Sequence, residues 1–129
     1  MSDTTPPVVL VFAGSDPTGG AGITADVLTL ASLGCHPAVV VTAVTAQDTS
    51  GIKQFTCTET ELVIAQARAV LEDMPVAAFK IGMLGNSAVA TAVAGLEVAQ
   101  RGQTKLYDAV VLAAGQLSDA QVGTALVLS

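Results

Sequence analysis

The 129-residue chain has few aromatic and few charged residues. Aromatic residues make up 3% of it, tryptophan is absent, and charged residues account for 12%. Five basic residues stand against eleven acidic ones, which gives a formal net charge of −6. Nucleic-acid surfaces need clustered basic side chains, and anionic membranes attract the same kind of cluster. We therefore expect neither nucleic acid nor a membrane as a partner.

Metal-binding and targeting patterns are also missing. Cys35 and Cys57 form no C-x-x-C pair and have no histidine at ligand spacing, so we expect two reduced structural thiols. The only histidine, His36, precedes Pro37 in a predicted connection, and we assign it no role. The chain start has no signal-peptide pattern and no apolar run is long enough to cross a bilayer, so we expect a cytoplasmic location.

Apolar residues make up 51% of the chain, which is enough for the core of one domain over residues 1–129. Strand and helix patterns alternate along it, which predicts an α/β fold with a parallel sheet covered by helices on both faces. A capping box, Thr58-x-x-Glu61, marks the start of the second helix. Strands are predicted at Val8–Ala13, Ala38–Ala46, Val76–Ile81 and Leu106–Ala113, and helices at Ile23–Leu33, from Thr58 to about Asp73, at Ser87–Arg101 and from Ser118 to the end of the chain.

A glycine-rich segment, AGSDPTGGAGITAD, joins the first strand to the first helix. Glycines at such a junction let a ligand approach the main chain, beside the outward-pointing amides of the helix start. The segment has neither the Gly-Lys-Ser/Thr ending of a P-loop nor the G-x-G-x-x-G dinucleotide fingerprint. Its spacing alone fits a small-ligand site or a tight turn whose glycines only serve packing.

The position of Asp26 favours the interpretation of this segment as a ligand site over that of a packing turn. Asp26 shares a helical face with Ile23, Leu30 and Leu33, which is the face that the helix must bury. A buried carboxylate needs a partner, because an unpaired buried charge is very costly. That partner can be a protein group or a ligand.

Two further segments are expected at the same edge of the sheet, because ligands of parallel α/β sheets bind beyond the carboxyl ends of the strands. Gln47 follows the second strand in TAVTAQDTSG, and Met83 follows the third in KIGML. Gln47 is either a turn residue or a ligand contact. Met83 either fills the core or lines a flat apolar slot.

These three segments, in this order and spacing, resemble the hydroxymethylpyrimidine/phosphomethylpyrimidine kinases of thiamin biosynthesis, over about Val8 to Ala114. The family belongs to the ribokinase-like superfamily, as do the pyridoxal kinases. The resemblance implies a three-layer sandwich with a mainly parallel sheet. It also implies a phosphotransferase that uses ATP and Mg²⁺ to phosphorylate 4-amino-5-hydroxymethyl-2-methylpyrimidine or its monophosphate.

The resemblance further assigns residues. Gly14, Asp26 and Gln47 match positions that hold the aminopyrimidine, and Met83 would pack on its ring. Val110 falls in the strand that corresponds to an Asp-x-Val segment beside the substrate. Asp108 would lie near the magnesium and the phosphates, although the usual Asp-Pro-Val reads Asp-Ala-Val here, which leaves the register open by one residue.

The family's glycine-rich anion hole and catalytic residue have no counterpart in this sequence. We therefore expect the pyrimidine-binding N-terminal part of a kinase, truncated at its C-terminus, with no catalytic residue visible. The alternatives are a binding module without catalysis and a pyridoxal kinase-like activity. An uncovered sheet edge and apolar surface would favour a homo-oligomer.

Overall fold

A computed structural model of the chain describes residues 5–101 and 123–128. Within these residues, five strands form one sheet in the order β3-β2-β1-β4-β5, together with three helices. The strands are β1 (Val8–Gly14), β2 (His36–Asp48), β3 (Gly51–Cys57), β4 (Val76–Met83) and β5 (Gly123–Leu128); the helices are α1 (Gly22–Ser32), α2 (Thr60–Asp73) and α3 (Ser87–Arg101).

The central strand β1 is buried along its whole length. It pairs in parallel with β2 on one side and with β4 on the other. Its residues alternate between two apolar clusters, because successive side chains of a strand point to opposite faces. This explains why the strand is apolar at every position.

Helices cover both faces of the sheet. Residues of α2 and α3 pack with Leu10 and Phe12 on one face, where the Phe12 and Phe79 rings lie 5.5 Å apart. Ile23 and Leu30 of α1 pack with Val11 on the other face. The expected three-layer α/β architecture is therefore confirmed. None of the three helices has the length and apolar character that crossing a bilayer requires.

The predicted first helix is observed almost unchanged. It ends at Ser32, and Gly34 follows with a φ of 82°, a left-handed conformation that suits glycine at a helix end. The second strand is longer than predicted, since it begins at His36 and continues through Gln47 to Asp48. Our interpretation of His36 and Pro37 as a connection was wrong: Pro37 lies near the start of the strand, where a missing N–H is tolerated.

The strand β3 was missed. It turns back from β2 and pairs with it antiparallel, from Asp48 opposite Gly51 to Ala43 opposite Cys57. The prediction of strand and helix in strict alternation is therefore wrong at this edge. Most β3 residues are exposed, so the segment lacks the apolar pattern by which we identified the other strands.

The capping box predicted at the start of α2 does not form. The N-cap is Glu59, with no side-chain cap hydrogen bond. The backbone N–H of Thr58 instead donates to the Thr42 carbonyl oxygen at 2.8 Å, which ties the chain to β2 before the helix begins.

The chain end also differs from the prediction. A helix was expected from Ser118 onward, but 123–128 form β5, which pairs antiparallel with β4. The sequence Gly-Thr-Ala-Leu-Val-Leu contains β-branched and apolar residues that suit a strand. Ser118 itself and the predicted strand Leu106–Ala113 lie outside the described residues.

Candidate functional site

The carboxyl ends of β1, β2 and β4 meet at one edge of the sheet. Gly14 ends β1, Gln47 lies next to the end of β2, and Met83 ends β4. These strands are neighbours and run in parallel, so all three predicted residues come to the same edge. This edge is the usual ligand-binding position in an open parallel sheet.

The loop after β1 is fastened to β2 by Ser15. The Ser15 N–H donates to the Ala43 carbonyl oxygen at 3.0 Å, and the Ser15 hydroxyl accepts from the Thr45 N–H at 3.0 Å. The Thr45 hydroxyl donates to the Ser15 carbonyl oxygen at 2.6 Å. Three hydrogen bonds therefore fix the first residues of the glycine-rich loop against the neighbouring strand.

Asp16 organises the next part of the loop. It is only 9% exposed, and one of its carboxylate oxygens accepts hydrogen bonds from the N–H and the hydroxyl of Thr18, both at 2.9 Å. A hydrogen bond from the Gln47 side chain, with those from Thr18 and the Ala21 N–H, lowers the pKa of Asp16 below its ordinary value of 3.8, while burial opposes this shift. Asp16 is therefore ionised at neutral pH and connects the loop to Gln47.

Asp16 and Gln47 line an open cleft of about 340 Å³ between the glycine-rich loop and the β2–β3 turn. Thr18, Gly20, Ala21 and residues 48–51 complete its walls. Since Asp16 is an acceptor, the Gln47 amide group donates to it and offers its carbonyl oxygen as an acceptor elsewhere. Gln47 therefore interacts with Asp16 in the wall of this cleft.

Gly14 and Met83 meet across the β1–β4 edge. A Cβ atom on Gly14 would lie 3.4 Å from the Met83 sulfur, so a larger residue would crowd the thioether. The Met83 carbonyl oxygen accepts a hydrogen bond from the buried Thr42 hydroxyl at 2.5 Å. The Met83 side chain is only partly buried, which leaves a part of it open at this edge.

Asp26 has a protein partner. Its Oδ2 atom lies 2.8 Å from Nζ of Lys80 on β4, and the two side chains are only 15% and 19% exposed. The helical face that we predicted from spacing is partly wrong, because Leu33 at its far end is 71% exposed. Ile23 and Leu30 do pack on the sheet as expected.

The predicted residues thus form three contacts at this edge: Gly14 with Met83, Gln47 with Asp16, and Asp26 with Lys80. Gly14, Met83 and Asp26 do not line the cleft that holds Gln47. Val110 and Asp108 lie outside the described residues.

The one residue expected near magnesium, Asp108, lies outside the described residues. No group of three or more His, Cys, Asp or Glu side chains comes together among them. His36 lies at the opposite edge of the sheet, where it lines a separate cavity of about 530 Å³ with Pro7 and Met74.

Two residues of the site, Asp16 and Lys80, were missed. A lysine inside an otherwise apolar strand was the available signal for Lys80, since a half-buried ammonium group needs a counter-charge. For Asp16 the sequence held only the weaker signal of an acidic residue followed two positions later by threonine, which is typical of a side-chain-capped turn.

Comparison with known proteins agrees with the resemblance. The sequence profile of a family described as phosphomethylpyrimidine kinase matches residues 16–125. Hydroxymethylpyrimidine/phosphomethylpyrimidine kinase from Mycobacterium bovis is 50% identical over 90 residues, which are 70% of this chain and 33% of that protein. The chain therefore spans about a third of the length of this relative.

Solved structures show the same similarity. A crystal structure of phosphomethylpyrimidine kinase from Clostridium difficile superposes with a TM-score of 0.65 at 37% identity, covering 69% of this chain and 38% of that one. Pyridoxal kinase from Staphylococcus aureus, in complex with AMP-PCP and pyridoxal, gives a TM-score of 0.64 at 29% identity, covering 73% of this chain and 35% of that one. With the profile matching most of its length, the chain belongs to the phosphomethylpyrimidine kinase family.

Proposed function

We propose that this chain is the aminopyrimidine-binding part of a kinase that phosphorylates 4-amino-5-hydroxymethyl-2-methylpyrimidine or its monophosphate. The observation that carries the proposal is the convergence of Gly14, Gln47 and Met83 at the carboxyl ends of neighbouring strands, with the Asp26 helix beside them. Family membership supports the substrate class, and this convergence supports a ring site at the same edge.

In this proposal the substrate's ring lies on the Met83 thioether. A polarisable sulfur suits the face of an aromatic ring, and the absence of a Cβ on Gly14 keeps the space beside it open. The Thr42 hydroxyl donates to the Met83 carbonyl oxygen, which fixes the backbone from which the thioether extends. Substitutions at Gly14 would therefore act on ring binding through the position of Met83.

In this proposal, polar groups of the site form hydrogen bonds with the edge of the ring. The Asp26 carboxylate accepts hydrogen bonds and cannot donate them. The Gln47 amide N–H donates to Asp16, so its carbonyl oxygen is the group that Gln47 presents to a ligand, and it is also an acceptor. The 4-amino group of the pyrimidine is a donor that such acceptors match. We propose that Asp26 and Gln47 select the amino group, while Val110 contributes from the strand expected after α3.

The phosphoryl donor in the proposed reaction is ATP with Mg²⁺, as the family implies. Phosphoryl transfer depends on positioning and on neutralising charge around the γ-phosphate. In this proposal the described residues bind the phosphoryl acceptor, and Asp108 is a residue near the magnesium. Since the chain matches 33% of the length of its M. bovis relative, we propose binding as the function of this part and place turnover with the complete family fold.

Calorimetric titration of the chain with 4-amino-5-hydroxymethyl-2-methylpyrimidine tests the proposal. We expect saturable binding, weakened roughly tenfold to a hundredfold in Asp26→Asn, which is the range for losing a hydrogen bond to a charged group. Arg68→Met is the control, because Arg68 is exposed on α2, which covers the other face of the sheet from α1. Binding that Asp26→Asn leaves unchanged would remove Asp26 from the site.

Pyridoxal is the competing ligand to include, given the similarity to the S. aureus enzyme. We expect pyridoxal to displace the aminopyrimidine only weakly, because it lacks the ring amino group. Preferential binding of pyridoxal would favour the pyridoxal kinase alternative. Addition of Mg-ATP with detection of ADP then separates a binding module from an active kinase.

A further inference from the structure

Lys80 lies on the α1-facing side of the sheet, where the neighbouring side chains are apolar. It is paired with Val11 of the central strand, and Ala78, two residues earlier on the same face, packs against the α1 cluster. A lysine in such surroundings lowers stability unless its ammonium group is paired. Its position thus calls for an explanation beyond packing.

The ammonium group of Lys80 points toward the candidate site. Its Nζ atom lies 3.2 Å from where a Cβ of Gly82 would be, two residues further along the strand. The side chain therefore runs along β4 toward the end occupied by Met83, through space that Gly82 leaves open. At that end the ammonium group meets Oδ2 of Asp26 at 2.8 Å.

The pairing leaves half of the Asp26 carboxylate for another partner. Within the described part of the chain, the Asp26 side chain has one hydrogen bond, the one from Lys80 to Oδ2. Lysine donates and cannot accept, so it orients the carboxylate without competing for a ligand's N–H group. The second oxygen, Oδ1, remains an acceptor.

We propose that Lys80 is a positioning residue, which holds Asp26 so that Oδ1 accepts a hydrogen bond from the ligand's amino group. This role rests on the proposed function, because it assumes an aminopyrimidine at this edge. Without the ammonium group, the carboxylate of Asp26 can rotate toward water or toward other donors near the loop. The protein then loses its preference for an amino group at that position, beyond any loss of stability.

The experiment compares two ligands on the full chain. One is 4-amino-5-hydroxymethyl-2-methylpyrimidine and the other is its analogue without the 4-amino group. We expect the unsubstituted chain to prefer the amino ligand by about tenfold or more, and Lys80→Met to lose most of that preference. A purely structural role for Lys80 would weaken binding of both ligands equally and leave the ratio of their dissociation constants unchanged.

A double-mutant cycle tests whether Lys80 acts on ligand binding through Asp26. If Lys80 acts through Asp26, Lys80→Met has almost no further effect on amino-ligand affinity in an Asp26→Asn background. The double variant also avoids an unpaired half-buried charge, so it is expected to fold better than Lys80→Met alone. If Lys80→Met does not fold, Lys80→Gln replaces it, with a smaller loss of preference expected because the amide still donates to Asp26.

The Arg68→Met control should retain the full preference, since Arg68 is exposed on α2, on the other face of the sheet from Lys80. Full preference in Lys80→Met, or additive effects in the cycle, would overturn the role of Lys80 while leaving the proposed function intact. An unsubstituted chain that binds neither ligand would overturn the proposed function itself, and the role of Lys80 with it.

Discussion

Asp16 shows how one side chain can connect a loop to the strand beside it. Its carboxylate accepts from Thr18 within the glycine-rich loop and from Gln47 at the end of β2. Asp16 thereby connects the loop that follows Gly14 to the strand that carries Gln47. The candidate site therefore depends on two charged side chains, Asp16 and Lys80, that were not among the residues predicted to contact the ligand.

The lowered pKa of Asp16 predicts an acid-sensitive contribution to stability. Hydrogen bonds from Gln47 and Thr18 hold the folded-state pKa below 3.8, so the folded protein binds a proton less readily than the unfolded chain. The contribution of Asp16 is then fully present above about pH 3.8 and is lost as the pH falls through the lower, folded value. Neutral and mildly acidic solutions should not affect it.

Asp16→Asn tests this dependence. We expect the variant to be less stable than the unsubstituted chain at pH 7, with a smaller difference at pH 3, both measured by urea unfolding. The exposed Glu72, changed to Gln, is the control for removing one negative charge. An Asp16→Asn deficit that is the same at both pH values would contradict the assigned cause.

Helix α2 contributes side-chain hydrogen bonds to strand β2 where the pairing with β3 ends. β3 pairs with β2 only as far as Ala43, so the outer backbone groups of Val41 have no strand beside them. Gln66 of α2 supplies the missing partners: its Oε1 accepts from the Val41 N–H at 2.9 Å, and its Nε2 donates to the Val41 carbonyl oxygen at 3.1 Å. A side chain of a helix thus continues the hydrogen bonding of the sheet.

Gln66→Met is therefore expected to destabilise the protein. It leaves two partly buried backbone groups without their partner, at a cost of about 1–3 kcal/mol in the free energy of unfolding. Gln54→Met, at an exposed position on β3, serves as the control. Equal unfolding midpoints for the two variants would show that the Gln66 contacts contribute little.

Elements with a strong apolar pattern could be predicted from the sequence. β1 and α3 were placed to within a residue, because a continuous buried strand and an alanine-rich amphipathic helix have distinct periodicities. β3 could not be recognised, since its side chains are mainly exposed and its pairing with β2 supplies its stability. The Lys80–Asp26 pair joins residues 54 positions apart, and local spacing contains no information on such a contact.

Among the described residues, the two most exposed large apolar side chains lie on α1 and directly after it. The helix has no fully buried residue, while Leu28 is 64% and Leu33 is 71% exposed. Exposed apolar side chains of this size favour association. The expected homo-oligomer therefore stays a prediction, with α1 as its most apolar candidate surface.

Light scattering over a range of concentrations tests this prediction. We expect association of the unsubstituted chain, reduced in the double variant Leu28→Gln, Leu33→Gln. Leu62→Gln on α2, also an exposed leucine, is the control and should leave association unchanged. A monodisperse monomer at high concentration would contradict the prediction.

In the proposed complex, the aminopyrimidine ring lies against Met83. Methyl NMR tests this arrangement directly, because the chain has only three methionines and a bound aromatic ring shifts the resonances of nearby methyl groups. Met74 is an internal control, since it lines the cavity with His36 at the opposite edge of the sheet. Titration with 4-amino-5-hydroxymethyl-2-methylpyrimidine should produce a saturable shift at Met83 and none at Met74. Binding that leaves the Met83 methyl resonance unchanged would contradict this arrangement.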